Sequence, residues 1–232
     1  MCDSLGVPEL ELITDNAAAL QRCGDLFRRD PVGSNMLASV LSPTREMTVI
    51  RVSHGADTIG AAVVIGDSCE LGPVTDEVIP AIAAEVPDSV TNVRGAAGPA
   101  SAVAGILSEQ RGTAVLDPVL YRSYHTAEVT EPSKRRKGKA FESDRDRRAQ
   151  AIEWNTAFGH DTGLVQSPDA TDDQVDSALN EHRLIEWRTK GEVVAQLMIT
   201  AARFGVVRID MVYTAPEHRN RGHSAAFVAA VA

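Results

Sequence analysis

Aromatic residues are scarce in this chain, at 4% of 232 residues, although 44% of the residues are hydrophobic. Alanine and valine must therefore provide much of the core packing. No apolar run approaches the roughly 20 residues that a membrane-spanning helix needs. The acidic first residues, 1–11, lack the basic start of a secretory signal. These absences predict a cytoplasmic protein that does not interact with a membrane, with one large domain or two small ones.

Cysteine is also scarce. Cys2, Cys23 and Cys69 are odd in number and show no C-x-x-C spacing, which predicts reduced thiols rather than a disulfide framework. His218 and His223 lie five residues apart with no cysteine or carboxylate pair beside them, which is a poor pattern for metal ligands. We therefore predict no metal.

Positive charge is lacking in the front half. Residues 1–132 hold 8 Lys and Arg against 18 Asp and Glu, whereas residues 133–232 hold 15 against 14. An acidic front half argues against nucleic-acid binding, which needs a basic surface. The back half is where an anionic ligand would be least repelled.

Hydrophobic periodicity predicts two similar sets of elements around a basic, Pro- and Gly-bounded linker at residues 132–138. The front half reads as two helices, a hairpin, then helix, strand and helix. These are predicted at 16–29, after Asp30-Pro31, at 48–53 with 58–65, and at 75–85, 89–93 and 100–109. The back half reads as strand, two helices, three strands and a helix, at 139–142, 143–158, 169–182, 184–188, 193–201, 206–213 and 225–231.

The end of the chain carries the most specific pattern. A strand at 206–213 runs into a turn at Pro216, then into an Arg- and Gly-rich loop, then into an apolar helix. Free backbone N–H groups at a helix start, with the positive end of the helix dipole, attract anions. Arg219 and Arg221 can add charge-assisted hydrogen bonds, and Gly222 permits close backbone approach. This order of elements predicts a phosphate-binding loop.

The residues Arg219-x-x-Gly222-x-Ser224, after Val212-Tyr213-Thr214-x-Pro216, resemble the acetyl-CoA motif of the GNAT superfamily of acyl-CoA N-acyltransferases. The family pattern is Gln/Arg-x-x-Gly-x-Gly/Ala, so Ser224 departs at the last position. The resemblance implies that the loop wraps the pyrophosphate of acetyl-CoA with Arg219, Asn220, Arg221, Gly222, His223 and Ser224. It also implies that backbone groups of Val212, Tyr213 and Thr214 hold the pantetheine arm, with the Val212 N–H polarising the thioester carbonyl.

Acetyl transfer to an amine also needs a general base. Asp210 lies two residues before Val212 and shares a strand face with it. Glu186 lies on the first strand of the same predicted sheet. Either carboxylate could act, directly or through water, or be merely structural. Trp154 and Phe158, four residues apart on the predicted helix, are more often core residues than substrate contacts. The resemblance places the first helix and the loop after it beside the acceptor pocket, so Trp154 and residues 159–163 are candidate contacts of the acceptor.

The resemblance implies an α/β (α+β) fold of mixed, largely antiparallel sheets flanked by helices. It implies a degenerate GNAT-like domain at residues 1–131, the linker at 132–138, and a GNAT domain at 139–232. The front counterpart of the cofactor loop would be residues 93–99, with only Arg94 as cation and with Pro99 lacking an N–H. A GNAT domain continues beyond the cofactor-loop helix. We therefore expect a truncated chain, or a second copy that completes the open sheet as a homo-oligomer.

The predicted function is N-acetyltransfer from acetyl-CoA to an amine of a small molecule or peptide, by direct attack. One alternative is a non-catalytic acyl-CoA-binding or regulatory protein, or an inactive truncated fragment. Another is an interaction module that uses the acidic front half as its working surface.

Overall fold

The computed structural model describes residues 7–41, 46–120, 124–130, 132, 136–164 and 167–232. The described chain forms two compact units. The first contains the residues up to 122 together with Ala202–Val206, and the second contains the residues from 123 to Ala201 together with Val207–Ala232. The predicted domain boundaries stay a prediction. Cys2 and residues 133–135 of the predicted linker lie outside the described residues.

The first unit is a five-stranded sheet in the order β1-β2-β3-β4-β5, antiparallel except that β5 runs parallel to β4. One hydrophobic cluster packs α1 to α3 against one face, and a second packs α4 and α5 against the other. Its elements are β1 Glu9–Ile13, α1 Asn16–Arg22, α2 Gly24–Arg29, α3 Asn35–Val40, β2 Thr48–His54, β3 Asp57–Ile65, β4 Ser68–Val74, a 3-10 turn Asp76–Val78, α4 Ile79–Ala84, β5 Asn92–Arg94 and α5 Ala97–Arg111.

The predicted hairpin is confirmed as β2 and β3, but the predicted helix 16–29 is wrong in one respect because it is divided at Cys23. The division has a tertiary cause. The Thr58 hydroxyl donates to Arg22 O at 3.0 Å, and the Thr58 N–H donates to Asp25 Oδ2 at 2.9 Å. Thr58 on β3 therefore supplies partners where the helix is interrupted. Inside this unit, Phe204 packs on Phe27 with ring centroids 5.3 Å apart.

The second unit is a four-stranded antiparallel sheet in the order β6-β7-β8-β9. Helices α6 and α7 pack on one face and α8 on the other. Its elements are β6 Lys139–Glu142, a 3-10 turn Arg145–Arg147, α6 Arg148–Thr162, α7 Pro168–Asn180, β7 Leu184–Thr189, β8 Glu192–Ile199, β9 Ile209–Thr214, a 3-10 turn Pro216–His218 and α8 His223–Val231. The predicted α/β class, with mixed and antiparallel sheets, is confirmed in both units.

The two units share one plan: a strand, helices, three antiparallel strands, a 3-10 turn and a helix. Each also has an irregularity on its third antiparallel strand. On β4, Gly72 and Pro73 lie opposite the single residue Ala61, because Leu71 pairs with Ala62 and Val74 with Gly60. In this plan, the segment of the first unit that corresponds to the predicted cofactor loop follows β4, at residues 75–79. The prediction of residues 93–99 was wrong, because they span the end of β5 and the start of α5, which come after the elements that the two units share.

No helix in the described part of the chain combines the length and the apolar character needed to cross a membrane.

Candidate functional site

A β-bulge marks β9, an edge strand of its sheet among the described residues. Asp210 pairs with Met198 and Tyr213 with Gln196, so Met211 and Val212 together lie opposite one residue of β8. Met211 has φ +49°, and its N–H is taken by Asp210 Oδ1 at 2.9 Å. A bulge removes residues from regular pairing and redirects their backbone groups. The irregularity thus includes Val212, the first residue of the predicted pantetheine-binding backbone, and Met211 before it.

The chain turns sharply after β9 and enters α8 without a side-chain cap. Asn220 has φ +60° and Gly222, the N-cap residue, has φ +76°. Ala226 N is the first amide of the helix to find a helical acceptor, Gly222 O at 3.3 Å, so the preceding amides of the first turn have none. Alternation of right- and left-handed backbone forms a concave surface of N–H groups that binds anions. The helix start is therefore shaped for a negatively charged ligand.

Arg219 is exposed, but contacts with three other residues hold its side chain in place. Its Nε donates to Thr214 O at 2.9 Å, and its Nη2 donates to Asp161 Oδ2 at 2.7 Å. Its guanidinium lies over the Tyr213 ring, 5.2 Å from the centroid. The hydrogen bond to Asp161 raises the pKa of Arg219. The predicted segment 159–163 is thereby joined to the cofactor loop, and the Arg219 charge is already paired.

Two other cations lie at the helix start. Arg221 and Arg136 are exposed, and neither forms an ion pair or hydrogen bond with any described residue. A Cβ built on Gly222 would lie 3.6 Å from Arg136 Nε, which places the Arg136 side chain directly beside the loop. Sequence analysis did not single out Arg136, which belongs to the basic run of the predicted linker. That run was the only sequence signal for it.

His223, the first residue of α8, is 9% exposed, and its Nδ1 is buried with no hydrogen-bond partner among the described residues. Burial lowers the pKa of His223 below its ordinary value of 6.5, and His218, Arg136 and Arg221 lower it further. The His218 ring stands edge-on to it at 6.3 Å and is itself 3.3 Å from Glu192 Oε1. A buried ring nitrogen without a partner, among positive charges, indicates a place for an anion.

The two candidate bases lie apart and are both already engaged. Glu186 is 2% exposed, accepts from Ser143 Oγ at 2.6 Å and pairs with Arg188 Nη2 at 2.8 Å. Asp210 pairs with Arg208 Nη2 at 3.2 Å and is otherwise half-exposed. The strand β8 separates them. Their assignment as bases stays a prediction.

A cavity of about 270 Å³ lies between α6 and α7. Its lining residues are Asn155, Thr156, Gly159, His160, Leu164, Pro168 and Thr171. The predicted acceptor contact Trp154 is instead 7% exposed and packs on Tyr213 with ring centroids 5.6 Å apart. A larger cavity, about 390 Å³, is lined by Glu142 and His182 among others, which lie at the end of the sheet opposite Thr214. The smaller cavity is the one beside the helix that carries Asp161.

No group of three or more His, Cys, Asp or Glu side chains in the described ranges is arranged to hold a metal ion.

Comparison with known proteins gives similarities in structure only. No protein-family model matches the chain, and a search of curated proteins gives no match. A GNAT-family acetyltransferase from Colwellia psychrerythraea matches over 95% of this chain and 82% of its own, with a TM-score of 0.48 and 8% identity. A GNAT-family acetyltransferase from Bacillus cereus matches over 40% of this chain and 60% of its own, with a TM-score of 0.32 and 10% identity. A GCN5-related N-acetyltransferase from Kribbella flavida matches over 40% of this chain and 25% of its own, with a TM-score of 0.31 and 19% identity.

This chain therefore spans less than two thirds of the length of two of these three proteins. All three are acetyltransferases of the superfamily that the motif at Arg219–Ser224 resembles.

Proposed function

We propose that the second unit binds acetyl-CoA at the loop Arg219–Ser224 and transfers its acetyl group to an amine of a small molecule or peptide. The observation that carries this proposal is the start of α8. It combines first-turn amides without helical acceptors, two left-handed residues, two arginines that have no ion pair with any described residue, and a buried ring nitrogen without a described partner. The amides are donors, the arginines are positive charges and the ring nitrogen donates in one of its two tautomers, whereas a pyrophosphate offers only acceptors and negative charge.

The first unit provides an internal contrast that supports the proposal. After its own irregular strand β4, the chain passes through Thr75, Asp76 and Glu77 and enters α4 with Pro80 in the first turn. Two carboxylates repel an anion, and proline contributes no N–H. The same structural plan therefore leads to an anion-attracting helix start in one unit and to an anion-repelling start in the other.

Strand β9 suits the pantetheine arm. Because β9 has no partner strand on its outer edge among the described residues, its backbone can accept an extended chain of amides there. The bulge redirects the backbone of Met211 and Val212. We assign the Val212 N–H to the thioester carbonyl, where a fixed donor stabilises the negative charge that develops on the oxygen.

Acetyl-CoA, when bound, supplies an activated thioester acyl group. The cavity between α6 and α7 is where we place the amine, since α6 also carries Asp161, which contacts the cofactor loop. The attacking amine must lose a proton, and the departing sulfur must gain one. Asp210, half-exposed and next to the bulge, is better placed than buried Glu186 to accept the amine proton through water.

Calorimetric titration of acetyl-CoA into the chain tests the binding step. Wild type should bind, and Arg221→Ala should weaken binding. Arg147→Ala is the matched control. Arg147 lies in the 3-10 turn before α6, at the opposite end of that helix from Asp161, and its Nη1 donates to Gln150 Oε1 at 3.2 Å. Equal binding by wild type and Arg221→Ala, or no binding by a folded wild-type chain, would contradict the proposed site.

A second function, acyl-CoA binding without transfer, is favoured by one observation. Both candidate bases already form ion pairs, Glu186 with Arg188 and Asp210 with Arg208. Release of free thiol from acetyl-CoA in the presence of a panel of amines separates the two functions. Binding without amine-dependent thiol release would select the binding protein.

A further inference from the structure

We propose that Arg136, from the segment that precedes β6, is a direct ligand of the phosphate groups at the start of α8. It would take the cationic role that the motif assigns to Arg219. This inference rests on the proposed binding of acetyl-CoA and names a further residue of the same site.

The first argument is that Arg219 is occupied. Its guanidinium joins Thr214 O and Asp161 Oδ2 and lies over the Tyr213 ring. Two of its five N–H donors are thus engaged, one of them in a charge-assisted hydrogen bond of 2.7 Å. Arg219 is therefore better described as a positioning residue that ties the end of β9 to the end of α6.

The second argument is that Arg136 lies beside the loop and has no charge partner within the described part of the chain. Its Nε and Cγ would lie 3.6 and 3.7 Å from a Cβ on Gly222, so the side chain crosses the left-handed residue from which α8 starts. It has no ion pair or hydrogen bond with any described residue. Its charge also reaches the first residue of the helix, since it is one of the groups that lower the pKa of His223. His223 supplies the buried, unpartnered nitrogen that indicates a ligand at this helix start.

The third argument is that the backbone next to Arg136 is fixed. Thr189 Oγ1 donates to Lys137 O at 2.9 Å. Gly138 lies so close to Trp187 that a Cβ there would come within 2.3 Å of the indole, which only glycine permits. Trp187 also packs on Phe227 of α8, with ring centroids 5.5 Å apart. One indole therefore contacts both the segment that carries Arg136 and the helix that carries the loop.

Isothermal titration with two probes, acetyl-CoA and inorganic pyrophosphate, tests the inference on the full chain. Arg136→Ala should weaken binding of both probes about tenfold, the loss of one charge-assisted hydrogen bond. Arg136→Lys should recover part of the affinity. Raising the salt concentration should weaken binding by wild type more than binding by Arg136→Ala, because salt screens the attraction between Arg136 and the phosphates, which the variant lacks. Lys139→Ala, which removes a nearby exposed cation on β6, is the control and should change the affinity little.

The outcomes are distinguishable. Binding of both probes by wild type and by Arg136→Ala with equal affinity and equal salt dependence overturns the role of Arg136 and leaves the proposed function intact. An equal loss in Lys139→Ala and Arg136→Ala also overturns it, since general charge would then account for the effect. Failure of a folded wild-type chain to bind either probe overturns both. Because Arg136 is exposed, its variants should have the same urea midpoint of unfolding as wild type.

Discussion

The left-handed backbone conformation of Gly222 predicts that Gly222→Ala will destabilise the protein. Gly222 has φ +76°, and a Cβ there would make only ordinary contacts with Arg136, at 3.6 Å and beyond. Strain in the backbone therefore decides the effect. A left-handed conformation costs an L-residue about 1–2 kcal/mol, and the stiffer unfolded chain of the alanine variant returns about 0.4–1 kcal/mol. Gly222→Ala should thus destabilise the second unit by about 1 kcal/mol.

Gly163 at the end of α6 is a matched control for this loss of stability. It has the same φ of +76°, and a Cβ on it would meet nothing within 4 Å. Gly163→Ala should lower stability by a similar amount. Only Gly222→Ala should also weaken binding of acetyl-CoA, because only Gly222 lies in the predicted anion loop.

Urea unfolding followed by tryptophan fluorescence measures this effect in the second unit alone. The chain has two tryptophans. Both, Trp154 and Trp187, are buried in the second unit. A loss of about 1 kcal/mol should lower the urea midpoint by roughly 0.5 M. An unchanged or raised midpoint in Gly222→Ala, with a lowered one in Gly163→Ala, would refute the left-handed loop and the anion site built on it.

Three further predictions concern the core, the thiols and the pH dependence. Phe227 is fully buried between α8 and the sheet, so Phe227→Ala should cost about 3–5 kcal/mol in urea unfolding, and a cost below about 1 kcal/mol would contradict the packing of α8. Burial raises the pKa of the Cys23 and Cys69 thiols to about 12, so in a Cys2→Ser background neither thiol should react with a thiol reagent at pH 8 until the protein unfolds; rapid labelling of the native chain would argue against their burial. Because the pKa of His223 is lower in the folded than in the unfolded state, the unfolded state binds more protons as the pH falls. The contribution of His223 to stability is therefore complete above the ordinary pKa of 6.5 and is lost as the pH falls below that value. The urea midpoint should therefore drop more between pH 7.5 and 5.5 in wild type than in His223→Gln, and equal drops would count against the buried ring.

Local signals in the sequence predicted most elements of the second unit. The strands β6, β7 and β8 and the helices α6 to α8 were found to within a few residues, because each has a clear period, cap or turn. Strand β4 of the first unit was missed: glycine and proline are uncommon inside strands, and Gly72 and Pro73 form the irregular part of this one. A bulge of this kind is fixed by pairing with β3 and leaves no periodic signal.

The parts of the site that sequence reasoning did not predict depend on contacts between distant residues. The engagement of Arg219 requires Asp161, which is 58 residues away in the chain. The position of Arg136 depends on Trp187 and Thr189, which follow it by about fifty residues and act through close packing at Gly138. The motif could point to a candidate loop because its pattern is local in the sequence. It could not indicate which cations lie beside that loop, since their positions depend on the surrounding fold.

The irregular strands β4 and β9 indicate that the sheet and the segment proposed to bind the ligand are separable parts of this architecture. Both strands carry two residues opposite one, yet within the described ranges only β9 leads into a helix that starts at a glycine with arginines beside it. The distortion belongs to the plan that the two units share, and the chemistry is added by the short segment that follows it. A change confined to that segment could therefore install or abolish anion binding without altering strand order. Replacing the segment after β4 with the loop of the second unit would therefore be a direct way to create an anion site in the first unit.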